Sequence, residues 1–241
     1  MKVILVDIEG TITDIDFVKK TLFPYASQNL AQYVRQQVSQ NQAHIQTILE
    51  ETHAVWKTDQ PTLDYKAFPA STPSVDDSID VLLFWIKTDR KITPLKTLQG
   101  FIWEHGYTSG DFTGHLYEDA HHYLKKWKDQ GLRLAVYSSG SEYAQKLLLG
   151  YSDYGDLTPW FDAYFDTRVG AKREVQAYQN ILKALGLEEN TDQVLFLSDI
   201  VQELDAAHQA GMKTYELRRD DQEGSTHHPV ASHFEQIDRT L

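Results

Sequence analysis

The sequence predicts an α/β protein: a doubly wound parallel sheet core with an α-helical cap inserted after the first strand. Three observations carry that prediction. The chain opens on a short, continuous apolar run. Its second half alternates apolar runs with amphipathic ones. A long stretch of helical spacing separates the two.

Residues 2–6, Lys-Val-Ile-Leu-Val, read as a buried strand, because a short run rich in β-branched residues suits a sheet covered on both faces. The run ends in Asp7-Ile8-Glu9-Gly10-Thr11. From Phe17 to Gly106 the spacing is helical. Phe17, Thr21, Leu22, Tyr25, Leu30, Tyr33 and Val34 keep it; so do Ile45, Ile48, Leu49, Val55 and Trp56, and then Val75, Ile79, Leu82, Leu83 and Ile86. Residues 58–74 hold three Pro among polar residues and read as a loop between helical pairs. Trp56, Trp85 and Trp103 are assigned to packing between these helices.

The alternation begins after Leu116. A helix over Glu118–Gln130 stops at Gly131, and a strand over Leu132–Tyr137 runs into Ser138-Ser139-Gly140-Ser141. A helix starts at Glu142. A strand near Ala163–Asp166 precedes Gly170-Ala171-Lys172. A helix over Val175–Leu185 stops at Gly186, and a strand over Val194–Leu197 ends in Ser198-Asp199. A helix over Val201–Ala210 stops at Gly211, and a strand over Lys213–Leu217 follows. Such alternation requires a parallel sheet with helices on both faces. A structureless connection after the first strand is implausible at this length. Residues 1–13 and 117–241 therefore form the core, and residues 14–116 the cap.

Composition narrows the function. The 241 residues are 41% hydrophobic and 24% charged, enough to bury a sizeable core. The net charge of −12 repels nucleic acid and anionic lipid, so neither is an expected partner. The absence of Cys excludes disulfides, thiolate nucleophiles and Cys-based zinc sites. The N-terminal apolar run is too short for a signal-peptide core, and Val81–Ile86 is far short of a membrane span. No heptad pattern is sustained. A cytoplasmic monomer is expected.

In a parallel sheet, chemistry collects beyond the carboxyl ends of the strands. Four such ends carry polar residues here: Asp7 with Glu9, Ser138 with Ser139, Lys172, and Asp199. A lone Asp at such an end often caps a helix, but these four are chemically complementary. A phosphate monoester is the ligand they fit. Its uncatalysed hydrolysis is so slow that up to ~10²¹-fold acceleration is needed. A general acid alone supplies about 10²–10⁴-fold. Asp7 can act as nucleophile, splitting one hard step into two through an aspartyl-phosphate. A carboxylate attacking an anionic phosphate needs a cation between them, and magnesium at Asp7 and Asp199 supplies it. Lys172 balances the remaining phosphate charge. The Ser138 hydroxyl and the N–H groups of the following helix start can hold phosphate oxygens. Glu9 can protonate the leaving oxygen and then activate water.

VILVDIEGTIT (3–13), VYSSGS (136–141), Lys172 in GAKREVQAY and FLSDIVQELDAA (196–207) resemble, in order and spacing, the four motifs of the haloacid dehalogenase superfamily. One departure is that the second acid of the first motif is Glu9 rather than Asp. Together with IWEHGYTSGDFTGHLYEDA (102–120), it is similar to the enolase-phosphatase family of methionine salvage, nearly end to end. That resemblance implies a substrate, 2,3-diketo-5-methylthiopentyl 1-phosphate, enolised and then dephosphorylated to an acireductone. It implies one magnesium ion held by Asp7, the Glu9 main-chain carbonyl and Asp199. It implies substrate contacts at Ser138, Ser139 and Lys172. The alternative within the superfamily is a capped phosphatase for another small phosphorylated metabolite. A phospho-acceptor signalling module is disfavoured, since it needs adjacent acids where Leu5-Val6 stand and carries no insertion.

Other features attract plainer readings. Glu203 either bonds within the site or lies on a solvated helix face, and Asp205 lies close by. His115 and Glu118 are assigned to the junction between cap and core. His121-His122 and His227-His228 are assigned to the surface, because adjacent side chains diverge. Arg218-Arg219, followed by Asp220-Asp221, reads as a solvated strand end.

Overall fold

In chain order the strands are β1 (Val3–Val6), β2 (Arg133–Tyr137), β3 (Phe161–Phe165), β4 (Val194–Ser198), β5 (Lys213–Leu217) and β6 (Val230–Ala231). The structure is a computed structural model and describes residues 1–58, 73–219 and 227–241. Most of the loop read over 58–74, and the pair Asp220-Asp221, lie outside the described residues.

β1 shows why a sheet must form around it. All four residues are buried. Val3 and Leu5 join one apolar cluster, Ile4 and Val6 another. A strand buried on both faces needs a layer on each face and a partner on each edge. β1 pairs in parallel with β2 on one edge and with β4 on the other. The sheet order is β3-β2-β1-β4-β5-β6, and every pairing is parallel. The α/β class and the doubly wound parallel sheet are as the alternation predicts. The chain steps outward from β1 to β3, then crosses back to β4. The order therefore reverses between β1 and β4, the point where open α/β sheets place their ligands.

The helices are α1 (Ile15–Phe17), α2 (Phe23–Ser39), α3 (Ala43–Thr58), α4 (Val75–Lys87), α5 (Thr93–Ser109), α6 (Glu118–Asp129), α7 (Glu142–Gly150), α8 (Val175–Leu185), α9 (Val201–Gln209) and α10 (Phe234–Asp238). The chain divides into two compact units, Met1–Val18 with Thr113–Leu241, and Lys19–Phe112. In the first, Leu124 and Trp127 of α6 and Phe234 of α10 fill one face of the sheet; Tyr178, Ile181 and Leu204 from α8 and α9 fill the other. In the second, α2 to α5 enclose a core that includes Leu30, Ile45, Trp56, Leu82, Trp85 and Ile102. Trp103 packs against it and donates its indole N–H to the Leu22 carbonyl at 2.8 Å. α4 opens on a capping box, with Ser74 and Asp77 exchanging bonds. Val18–Leu22 is a π-helical turn at the junction between the two units.

Two elements escape a sequence reading, the two-residue β6 and the five-residue α10. Asp119 in the first turn of α6 secures α10. It accepts the Phe234 N–H at 2.9 Å and faces the Arg219 guanidinium at 2.8 Å. Burial acts to raise the Asp119 carboxyl, but the bonds and charge of Arg219 and the Phe234 N–H outweigh it and hold it below its ordinary value. A depressed carboxylate stabilises the fold above its unfolded-state value and loses that contribution as pH falls through its folded value. Asp119→Asn is thus expected to cost about 2 kcal/mol at neutral pH, where the lost bonds are to a charged group. The difference from wild type should shrink below roughly pH 4. Urea unfolding at two pH values checks this, and a pH-independent difference would refute it.

Candidate active site

Asp7 continues the β1 ladder, its N–H donating to the Leu197 carbonyl at 2.9 Å. Its Oδ1 accepts the Ile8 N–H at 2.7 Å and lies 2.6 Å from Lys172 Nζ. The same ammonium lies 2.7 Å from Glu203 Oε2. Glu203 is fixed in turn by the Ser198 hydroxyl at 3.0 Å, and that hydroxyl accepts the Ile200 N–H. Burial pulls the Lys172 ammonium down, but the Asp7 and Glu203 charges and bonds dominate, and its pKa is raised. Two buried tyrosines hold the turn that carries it. Tyr178 donates to the Lys172 carbonyl at 2.7 Å and Tyr137 to the Gly170 carbonyl at 3.0 Å.

Register places the other strand ends beside Asp7. Val6 is level with Val136 on one side and Leu197 on the other. Ser138 and Asp199 therefore each stand one residue beyond Asp7 on the flanking strands. Asp199 is held without a bond to one of its oxygens, since Oδ1 is buried and has no hydrogen-bond partner. Burial, and then the charge of Asp7, push its pKa up to about 7. Gly10 packs against this carboxylate with φ at +74°, and a Cβ there would lie 2.3 Å from Asp199 Oδ2. No residue but glycine fits that approach.

These features fit a divalent cation. The carboxylates of Asp7, Asp199 and Glu203 face one ammonium, so the fully ionised cluster carries an excess of two negative charges. Asp199 offers an orphaned oxygen and is pushed towards protonation by burial and by the charges of Asp7 and Glu203, which the charge of Lys172 does not offset. Among the described residues no group of three His, Asp or Glu side chains is arranged as a metal cage. Two carboxylates with a main-chain carbonyl are the sparse set that magnesium accepts, because it keeps waters and takes phosphate oxygens. Glu9 is half-buried and bridges to Thr13.

Ser138 directly follows β2, is buried, and donates its N–H to the Phe165 carbonyl at 3.2 Å. Its hydroxyl accepts the Gly140 N–H at 3.1 Å. Ser139 is half-buried, and Ser141 caps α7 by accepting the Ala144 N–H. Direct contacts thus join Asp7, Lys172 and Glu203; Gly10 backs Asp199; and Ser138 and Ser139 lead into the start of α7.

Three plain readings need correction or completion. Glu203 is a buried member of the site, because the α9 face that carries it turns towards Ser198. Arg218-Arg219 is not a solvated strand end. Each side chain is only 13% exposed, Arg218 bonding Glu216 and Arg219 bonding Asp119. His228 is not a surface residue. It is buried, with Thr214 on Nδ1 at 2.8 Å and Asp205 on Nε2 at 3.0 Å. His227 is exposed. His121 stacks on Tyr154 with ring centroids 3.9 Å apart, and His122 is exposed. His115 accepts the Asp14 N–H, and Glu118 is exposed. No helix among the described residues is long and apolar enough to cross a membrane.

A doubly wound parallel sheet with an Asp nucleophile candidate, a Lys and a second Asp at neighbouring strand ends defines a class, the haloacid dehalogenase-like hydrolases, whose family pattern matches residues 1–211. Within that class the chain belongs to the enolase-phosphatase E1 family, and it is a phosphatase. It is 49% identical to the enolase-phosphatase E1 of Enterobacter sp. (strain 638), over 98% of this chain and 96% of that one. It is 51% identical to that of Klebsiella pneumoniae (strain 342), again over 98% and 96%. Among solved structures, the UTR4 protein of Saccharomyces cerevisiae is 34% identical, with a TM-score of 0.78 over 97% of this chain and 98% of that one. Magnesium dependence is general among phosphatases of this kind.

Proposed function

We propose that this chain enolises 2,3-diketo-5-methylthiopentyl 1-phosphate and then removes its phosphate, releasing the acireductone 1,2-dihydroxy-3-keto-5-methylthiopentene in methionine salvage. The observation that carries the chemistry is the Lys172 ammonium bridging Asp7 and Glu203, beside an Asp199 oxygen that lacks a partner. Relatives that align over 98% of the chain and bear the enolase-phosphatase name support the substrate.

Asp7 attacks phosphorus, forming an acyl phosphate as the bond to the substrate's C1 oxygen breaks. Glu9, in its acid form, gives the leaving oxygen a proton. Glu9 as carboxylate then takes a proton from water, the hydroxide adds to phosphorus, and Asp7 is released with inorganic phosphate. Lys172 keeps Asp7 oriented and faces the phosphate charge. Ser138, Ser139 and the N–H groups entering α7 hold phosphate oxygens. A single magnesium ion, held by Asp7, Asp199 and the Glu9 carbonyl, would supply the positive charge that lets an anionic nucleophile approach an anionic phosphate and that steadies an enolate. The protein works as a cytoplasmic monomer.

The test follows ultraviolet absorbance and phosphate release together, with the diketo phosphate and magnesium. An enol-type absorbance accompanied by phosphate is expected. Release from simple phosphomonoesters but none from the diketo phosphate would keep the phosphatase and overturn the substrate.

A further inference from the structure

Arg219 stands two residues beyond the end of β5, at a strand end the chemistry above does not use. Its guanidinium is held on every side. Nη1 bonds both oxygens of Asp119, at 2.9 and 2.8 Å. Nε and Nη2 both donate to one main-chain carbonyl, that of Thr11, at 3.1 and 2.7 Å. Its central carbon lies 4.2 Å from the Tyr117 ring centroid and 5.2 Å from that of Phe234. A planar fork between two rings has little freedom left, and its Nε and Nη2 edge meets Thr11 apart from the Nη1 that meets Asp119.

The carbonyl it grips belongs to the loop that follows Asp7. That loop closes on itself, with the N–H groups of Thr11, Ile12 and Thr13 all directed at the Ile8 carbonyl and the Gly10 N–H at the Thr13 carbonyl. It carries Glu9 and the Gly10 that packs on Asp199. Self-closure fixes the shape of the loop but not its place. The ties that place it include the Arg219 bonds to Thr11, the neighbouring bond from the Tyr117 N–H to the Ile12 carbonyl, at 3.0 Å, and the bond from the Thr13 hydroxyl to the His115 carbonyl at the far end of the loop. Tyr117 is also the ring beneath the guanidinium, so the Arg219 and Tyr117 ties act as one unit next to Glu9 and Gly10.

We propose that Arg219 is a positioning residue for the cation site, fixing the Ile8–Thr13 loop through the Thr11 carbonyl so that the Glu9 main chain stays aimed at the cation and Gly10 stays against Asp199. The inference rests on the assignment of Asp7, Glu9 and Asp199 as cation donors. A lysine cannot substitute, because one ammonium cannot span a carboxylate and a carbonyl as the fork does.

Two variants separate positioning from stability. Arg219→Lys keeps a positive charge by Asp119 but loses the two-point grip on Thr11. Asp119→Asn keeps that grip and weakens the anchor to α10. Magnesium alone is titrated into the metal-free full chain by calorimetry, and thermal unfolding is recorded alongside. Arg219→Lys is expected to weaken magnesium binding roughly tenfold or more, the range seen when groups orienting a metal ligand are removed. Phosphate release should recover at saturating magnesium. Asp119→Asn should lower Tm and leave magnesium affinity near that of wild type. Where Arg219→Lys does not fold, Tyr117→Leu, which removes the ring under the guanidinium, is read in the same way. Wild-type affinity in a folded Arg219→Lys overturns the proposal, as does loss of affinity in step with Tm in both variants. A wild-type chain that takes up no magnesium removes the cation assignment itself, and the inference with it.

Discussion

Asp7→Asn is expected to reduce phosphate release by on the order of 10⁴–10⁶-fold, the loss seen when the central nucleophile of a concerted site is removed. The substitution is nearly isosteric, so the fold should be unchanged. An amide cannot form the acyl phosphate, and the site then has no route that splits the displacement into two easier steps. The variant also keeps a distinctive electrostatic signature. The charge of Asp7 is, after burial, what holds Asp199 near 7, and it helps to raise Glu203. Without that charge both carboxyls come down, and Lys172 keeps Glu203 as its partner at 2.7 Å. Phosphate assays with magnesium, together with borohydride trapping of an acyl phosphate in wild type alone, check the prediction. Activity within tenfold of wild type would remove Asp7 from the nucleophile's role.

The strand ends that carry this chemistry are legible in the sequence because the strands are. Val3–Val6 and Val194–Ser198 are wholly buried, so their composition is unbroken and their ends are sharp. The residue just past each end then stands out. β3 is harder. Phe161–Phe165 holds an exposed Asp162 that takes Lys128 and the Leu134 N–H, and the sequence places that strand two residues late. β6 and α10 are too short for any period to show. The misread residues share a different cause. Arg219 meets a carboxylate 100 residues away, and its two bonds to Thr11 cross 208. His228 meets Asp205 across 23. Paired in the fold, such residues look like solvated charge in the chain, where local pattern carries no record of a distant partner. Glu203 is ambiguous in the sequence for a subtler reason. A helix whose one face is core and whose adjoining edge is catalytic gives an acid at that edge no distinguishing spacing.

Lys172→Met tests whether the ammonium or the packing around it matters. The side chain is 9% exposed, and its partners Asp7 and Glu203 are 7% and 10% exposed. Removing one partner from a buried pair costs about 3–5 kcal/mol, because the remaining charges stay buried without compensation. Met keeps most of the volume, so the loss is electrostatic. Activity should fall by about 10²–10³-fold with the loss of one preorganised charge at the reacting phosphate. Two conditions reveal the cause. Magnesium should raise the Tm of the variant more than that of wild type, since it supplies positive charge to the same carboxylates. The stability deficit should also narrow as pH falls from 8 towards 5. Glu203 is already raised by burial and by Asp7, with Lys172 opposing. Without Lys172 it rises further and binds a proton in the folded state before the unfolded chain does. A group raised in the fold gains stability as it takes up that proton. Thermal unfolding with and without magnesium at both pH values decides the matter. A deficit that does not move with either would mean that Lys172 stabilises by contact alone, and the cluster of opposed charges would not be the organising feature of the site.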